Sequence, residues 1–330
     1  MKARQLIFLK HGQISYKDII LKDPGDDEVL VQAICCGIST GTERLIIRGE
    51  FPEELFLDES IEELRIPAVY PFSYGYILSG VVKKAGSINN EWMEGKRVLI
   101  LHPHQNSAVV NIKRLIFLPD NISSETAVLI PSCETAVNLI HDASPLMGER
   151  VCIYGLGIIG QIAARMISLF PLENLFLVEP SSFRRDLASN INSAAVISSD
   201  SEIPDDIFFD LALELSGNPH ALQSSLKHSA YDGRIVAGSW YGSKPVSLEL
   251  GSSFHRKRLK LISSQVSKIS PVLRGRWDYQ RRTQTAIKWL DSNQQKSWIT
   301  HKFPFENASE AYEIINQPGG EYLQVILDMN

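Results

Sequence analysis

The chain has 330 residues, 44% of them hydrophobic, and a formal net charge of −5. That length supports two cores rather than one, and the acidic balance excludes any global attraction to nucleic acid or to acidic membrane surfaces. No apolar run approaches the ~20 residues of a membrane span, and the opening Met-Lys-Ala-Arg-Gln-Leu-Ile-Phe reads as a strand rather than a signal peptide, so a cytoplasmic protein is expected.

Residues 1 to 125 carry short β-like runs broken by Gly, Pro and Asp, at 5–8, 28–33, 80–84, 97–101 and 114–118, which predicts a compact β-barrel-like domain. Within it, residues 52–63 are acidic, and repulsion among like charges predicts a solvated helical insertion there. The cysteines Cys35, Cys36, Cys133 and Cys152 sit in apolar surroundings with no CxxC pair, as buried reduced thiols do. From Ser124 the texture alternates between helix (125–140, 158–169, 220–228) and strand (151–154, 175–178, 210–215, 234–237), the pattern of a doubly wound parallel sheet. Helices at 282–290 and 308–315 and a strand at 322–328 close the chain, and the last strand is expected to return to the first domain. The expected division is therefore 1–125 completed by 272–330, with 126–271 between them.

The strongest motif is Val-Cys-Ile-Tyr-Gly-Leu-Gly-Ile-Ile-Gly at 151–160. An apolar strand opens into a Gly-rich turn (Gly155, Leu156, Gly157, Ile158, Ile159, Gly160) and then a helix, and Glu179 closes the next strand about 20 residues on, which is a dinucleotide-binding fingerprint in its required context. Gly155 permits the tight turn, Gly157 lets backbone amides approach a pyrophosphate, and Gly160 lets the helix pack closely on the sheet. The helix N-terminus favours the anion without a basic side chain. Glu179 argues for NAD over NADP, because a carboxylate repels a ribose 2′-phosphate. Arg184, close behind it, leaves NADP open. Ser216 and Ser239, just past two later strands, complete the cofactor-binding candidates.

Beyond this motif the whole chain resembles the medium-chain dehydrogenase/reductase superfamily. The resemblance is carried by Ala33-Ile34-Cys35-Cys36-Gly37-Ile38-Ser39, the glycine loop, Leu213-Glu214-Leu215-Ser216-Gly217 and the segment from Phe303 to Ala311. A finer likeness, in Gly37 to Glu43, Glu134 to Asn138 and Ser239 to Gly242, is to the threonine-dehydrogenase-like or zinc-type alcohol dehydrogenase-like branch, which also contains bacteriochlorophyllide dehydrogenases. The resemblance implies a GroES-like β-barrel catalytic domain built from both chain ends, a Rossmann domain, a nicotinamide cofactor in the cleft and a homodimer. Zinc-dependent members carry a cysteine, a Gly-His-Glu and a Cys or Glu at three ligand positions. Here Ser39, Gly75-Tyr76-Ile77 and Pro131 stand in those places. A hydroxyl, a phenol and a proline ring do not replace thiolate, imidazole or carboxylate donors, so no zinc is expected.

Without a metal, a substrate carbonyl oxygen still needs an electrophile. Tyr76 and His104 are the candidate acids, and Ser39 or Thr40 the hydroxyl relay. Tyr76 also has the plain role of an aromatic filling the metal's volume. Trp240 and Tyr241 are candidates for one wall of a substrate pocket, with His102 near it, although two adjacent aromatics also serve ordinary packing. The basic runs at 255–258 and 274–282 suggest an anionic group on a small-molecule substrate. The expected activity is hydride transfer between a nicotinamide and an alcohol/carbonyl pair, in a specialised biosynthetic pathway. Enoyl or quinone reduction and a non-catalytic dinucleotide-binding redox sensor or partner subunit are the alternatives.

Overall fold

A computed structural model describes residues 1–317 and 319–329. In chain order, the first half carries β1 (Lys2–Lys10), β2 (Gln13–Ile20), β3 (Glu28–Ile38), α1 (Thr42–Ile47), β4 (Leu78–Ala85), β5 (Arg97–Ile100), β6 (Ser107–Asn111), β7 (Ile116–Phe117) and α2 (Ser124–Ala127). There follow α3 (Ile130–Ala143), β8 (Arg150–Tyr154), α4 (Ile158–Ile167), β9 (Asn174–Val178), α5 (Ser182–Ala188), β10 (Ala194–Ile197) and β11 (Phe209–Glu214). Next are α6 (Pro219–Lys227), β12 (Ser229–Ala237), β13 (Lys260–Ser263) and α7 (Tyr279–Ser292), and the chain closes with β14 (Ile299–Pro304), α8 (Ala308–Asn316) and β15 (Gln324–Asp328).

The chain forms two compact units, Met1–Leu129 with Asn293–Asn330, and Ile130–Ser292. Sequence texture put the second boundary at 271/272, ahead of α7, whereas α7 stays with the second unit. The cause is side-chain pairing that composition does not reveal. Arg282 on α7 donates to Glu134 and Asn138 on α3 at 3.0 and 2.8 Å, and Ala286 and Leu290 are fully buried.

In the first unit, a sheet ordered β14-β15-β3-β4-β5-β7, with β6 also on β3, wraps a core that includes Val31, Ile38, Leu78, Ile100 and Val325, and β1 and β2 form a separate hairpin. The returning strand β15 pairs antiparallel with β3, Val325 opposite Ile38. In β1, Leu6 and Phe8 point inward two residues apart, the period of a strand, and Ala3 is buried as well. The acidic segment is not the helix its charges suggested. Residues 51–69 form an irregular excursion with one short 3-10 turn, Glu62–Leu64, because Leu57, Ile61 and Leu64 are buried and the Asp58 carboxylate accepts from the amides of Ser60 and Ile61. Apolar anchors and an Asp-centred turn outweigh the helix propensity of the glutamates. Glu63 is held by Arg114 through two bonds of 2.6 and 2.7 Å.

In the second unit six parallel strands run β10-β9-β8-β11-β12-β13. The first three strands run outward in one direction and the next three in the other, so the order reverses between β8 and β11. Helix α4 packs Ile158, Ile162, Met166 and Ile167 inward, an amphipathic face that supplies its stability. Among the described residues no helix is long and apolar enough to cross a membrane, and all four cysteines are buried and unbridged.

Candidate active site

At the switch point, the tips of β8 and β11 meet. Gly155 has φ +95° and lies so close to β11 that a Cβ there would sit 2.8 Å from Ser216 Cα; only glycine fits both demands. A Cβ on Gly160 would stand 2.1 Å from the Gly155 carbonyl oxygen, whereas one on Gly157 would meet nothing within 4 Å. Gly157 is the N-cap of α4, with Leu156 and Ile158 buried beside it and Ile159 half-buried. Glu179, 4% exposed, accepts from the amides of Leu156 at 2.7 Å and Ser181 at 3.0 Å. The Arg184 guanidinium lies 3.9 Å from the same carboxylate. The acid therefore ties the glycine turn to the end of β9.

A second buried acid that sequence reasoning left without a role holds the neighbouring loops. Glu214, fully buried, accepts from the amides of Ser216 at 2.8 Å and Gly217 at 3.1 Å, from the Ser216 hydroxyl at 2.5 Å and from the Tyr241 hydroxyl at 2.7 Å. Ser239 Oγ in turn accepts from the Gly217 amide at 2.9 Å. Tyr241 thus spends its hydroxyl on Glu214, and burial together with that acid raises its pKa. Trp240 beside it is exposed. The signal for Glu214 was an acid closing β11 directly after the apolar Leu211, Ala212 and Leu213.

The first unit gathers the other candidates. Ser39 and Thr40 directly follow β3, and Tyr76 lies two residues before β4. The Tyr76 hydroxyl donates to Ser39 Oγ at 2.6 Å, and Thr42 shares that hydroxyl. Burial raises the Tyr76 phenol to about 12 against the opposing bond to Ser39, with the charge of Glu43 adding to the rise. Tyr76 therefore stays protonated at neutral pH.

His104 is fully buried, with Nε2 at 3.0 Å from Glu43 Oε2, and Tyr312 on α8 donates to the same oxygen. Burial alone would lower the imidazole's pKa, but Glu43 and the adjacent Cys36 outweigh it and hold the value up near about 10. His104 is thus an internal cation paired with Glu43, and its hydrogen bond goes to that acid rather than to Ser39 or Tyr76. His102 is turned elsewhere: Nδ1 contacts the Pro103 carbonyl at 3.0 Å and Nε2 lies 3.5 Å from Glu63. Tyr312 joins the cluster only through tertiary contact, whereas Glu43 also bonds Ser39 locally, four residues back, and was visible in sequence solely as the end of a Gly-Thr-Glu string.

No family model matches the chain. It is similar to sorbitol dehydrogenase of Macaca fascicularis, at 23% identity over 367 aligned positions that cover 100% of this chain and 98% of that protein. L-threonine 3-dehydrogenase of Pectobacterium atrosepticum is 31% identical over 144 positions, 41% of this chain and 39% of that one. Among solved structures, an Escherichia coli CFT073 protein described as a short chain alcohol dehydrogenase, complexed with cofactor NADH, superposes with a TM-score of 0.77 at 19% identity, covering 99% of each chain. These likenesses are consistent with the medium-chain dehydrogenase/reductase superfamily, whose fold the chain shares. Its first unit is the GroES-like part of that fold and its second the Rossmann part.

Proposed function

We propose that the protein is an NAD(P)-dependent oxidoreductase acting on a secondary alcohol/carbonyl pair without a catalytic metal. The observation that carries the metal-free reading is the Tyr76–Ser39 hydrogen bond of 2.6 Å: the two side chains standing at ligand positions of zinc-dependent relatives bond to one another, and a neutral phenol and a hydroxyl are poor zinc donors. Residues 155–160 and Glu179 would hold the dinucleotide, with the pyrophosphate against the α4 N-terminus. Glu179 favours NAD, since its buried carboxylate would repel a 2′-phosphate. When bound, the nicotinamide supplies or accepts the hydride.

The chain's own residues supply the proton. In carbonyl reduction the carbonyl carbon gains the hydride, and its oxygen gains the Ser39 proton. Ser39 is reprotonated by Tyr76, and half-buried Tyr76 recovers its proton from water. Because the Tyr76 hydroxyl points its hydrogen at Ser39, the resting arrangement is set for donation. Similarity to sorbitol, L-threonine and D-guloside dehydrogenases supports a substrate whose reacting hydroxyl has polar neighbours. The role extends in this proposal to a specialised biosynthetic pathway.

The test is turnover of a panel containing sorbitol, L-threonine, 2,3-butanediol and acetoin with both nicotinamide pairs, before and after chelation, alongside metal analysis. Retained activity without zinc and a Tyr76→Phe loss of about 100-fold or more are expected. Activity that follows zinc content would sink the metal-free mechanism, and hydride transfer only to enones would replace it with C=C reduction.

A further inference from the structure

The β3–β4 ladder joins the two arms as far as the Gly37 amide and the Ile77 carbonyl, 3.0 Å apart, and beyond that last main-chain bond side chains must set Ser39 against Tyr76. Ser39 leaves β3 and Tyr76 approaches β4, with 36 residues between them. One buried group reaches both. Glu43 Oε1 accepts the Ser39 amide at 2.7 Å, while Oε2 takes His104 at 3.0 Å and the Tyr312 hydroxyl. The imidazole of His104 lies flush against Gly75, the residue before Tyr76: at φ +91°, a Cβ on Gly75 would fall 2.3 Å from the ring. The Glu43–His104 pair is therefore a strut, bonded at one end to the Ser39 backbone and pressed at the other against the Tyr76 backbone.

Both members are 0% exposed. Removing two charges from water costs several kcal/mol per ion, which is recovered only with good geometry and further hydrogen bonds. Here the added bonds are those from Ser39 and Tyr312. The groups facing Glu43 are His104, Tyr312, Tyr74 and Tyr76, so the sole cation among these groups is His104. An apolar pair of the same volume would fill the space, but would not grip the Ser39 amide.

We propose that Glu43 is the positioning residue of the proton relay, with His104 as its brace: it sets Ser39 Oγ within hydrogen-bond reach of Tyr76. This rests on the metal-free dehydrogenase reading, and its decisive readout is independent of turnover. Crystal structures of Glu43→Gln and Tyr312→Phe variants, grown with NADH, report the Tyr76–Ser39 separation directly. In Glu43→Gln the bond is expected to open beyond hydrogen-bond range; in Tyr312→Phe, which leaves the Glu43–His104 pair in place, it is expected to stay closed. An unchanged bond in Glu43→Gln overturns the proposal.

On whichever panel alcohol turns over, kcat of Glu43→Gln should fall about 100-fold, as misplacement by an ångström costs, with KM and NADH affinity changed less than about threefold. The double variant Glu43→Gln/His104→Gln, which restores a neutral amide pair, should recover most of the lost kcat. A residue serving stability alone would alter melting and leave kcat in place, and that result also overturns the proposal. If Ser39→Ala and Tyr76→Phe leave turnover intact, the relay reading itself fails, a distinct outcome.

Discussion

Replacing Glu214 separates two ways of losing a buried acid. Its carboxylate receives four hydrogen bonds, two from backbone amides and two from hydroxyls. In Glu214→Ala the Gly217 amide keeps Ser239 Oγ at 2.9 Å, and the half-buried Tyr241 hydroxyl can turn toward water. The Ser216 amide loses its acceptor, at about 1–3 kcal/mol for an unsatisfied donor. The lost methylene adds about 0.8 kcal/mol, for a total of about 2–4 kcal/mol. Glu214→Gln keeps one oxygen facing the amides and sets an NH2 against Tyr241, whose hydroxyl rotates to accept. Only the charge-assisted part is lost, about 1–2 kcal/mol. Urea unfolding followed by circular dichroism measures both, and nicotinamide fluorescence reports whether the 214–217 and 239–241 loops still receive NADH. Equal losses in the two variants, or less than about 1 kcal/mol in Glu214→Ala, would refute the reasoning, because either result means that the donors find partners elsewhere.

Three further outcomes follow from other contacts. Gly160→Ala should abolish NADH binding with the fold retained, since its Cβ would lie 2.1 Å from the Gly155 oxygen and must push the turn open; titration with NADH at unchanged circular dichroism checks this. The raised His104 value, about 10 against an ordinary ~6.5, means that this pair's contribution is fully present below the ordinary value and is lost as pH rises through the folded one. Stability should thus decline across that alkaline window, and a His104→Gln variant with an equally steep decline would contradict it. Glu63 is held below the usual carboxylate range: burial pushes its pKa up, but Arg114 and His102 outweigh that. Glu63→Ala should therefore free residues 51–69 for proteolysis, and a cleavage rate equal to the parent's would show that the apolar anchors alone suffice.

The fold was legible in sequence wherever a local rule had one solution. Three glycines after an apolar strand specify the turn, because a Cβ at Gly155 or Gly160 would collide with backbone. Apolar runs of five or so residues alternating with amphipathic helices specify a parallel sheet. Local rules are silent or misleading where polarity hides a role: β2, with its exposed Lys17 and Asp18, pairs along β1 without offering an apolar run, and the acidic excursion at 51–69 is pinned by a few buried side chains rather than by its average charge.

The candidate site divides the same way. Sequence alone determined the glycine turn after β8 and the acid at Glu179, since each depends on residue type and short spacing. Only the tertiary structure decided that Tyr76 bonds Ser39, that His104 is a buried cation rather than a free acid, that Tyr241 is committed to Glu214, and that Glu43 and Tyr312 belong to the cluster. Those facts rest on groups distant in the chain, as far apart as Glu43 and Tyr312, whose protonation and orientation are set by burial and by one another. Neither burial nor partnership is a property of a residue's own type.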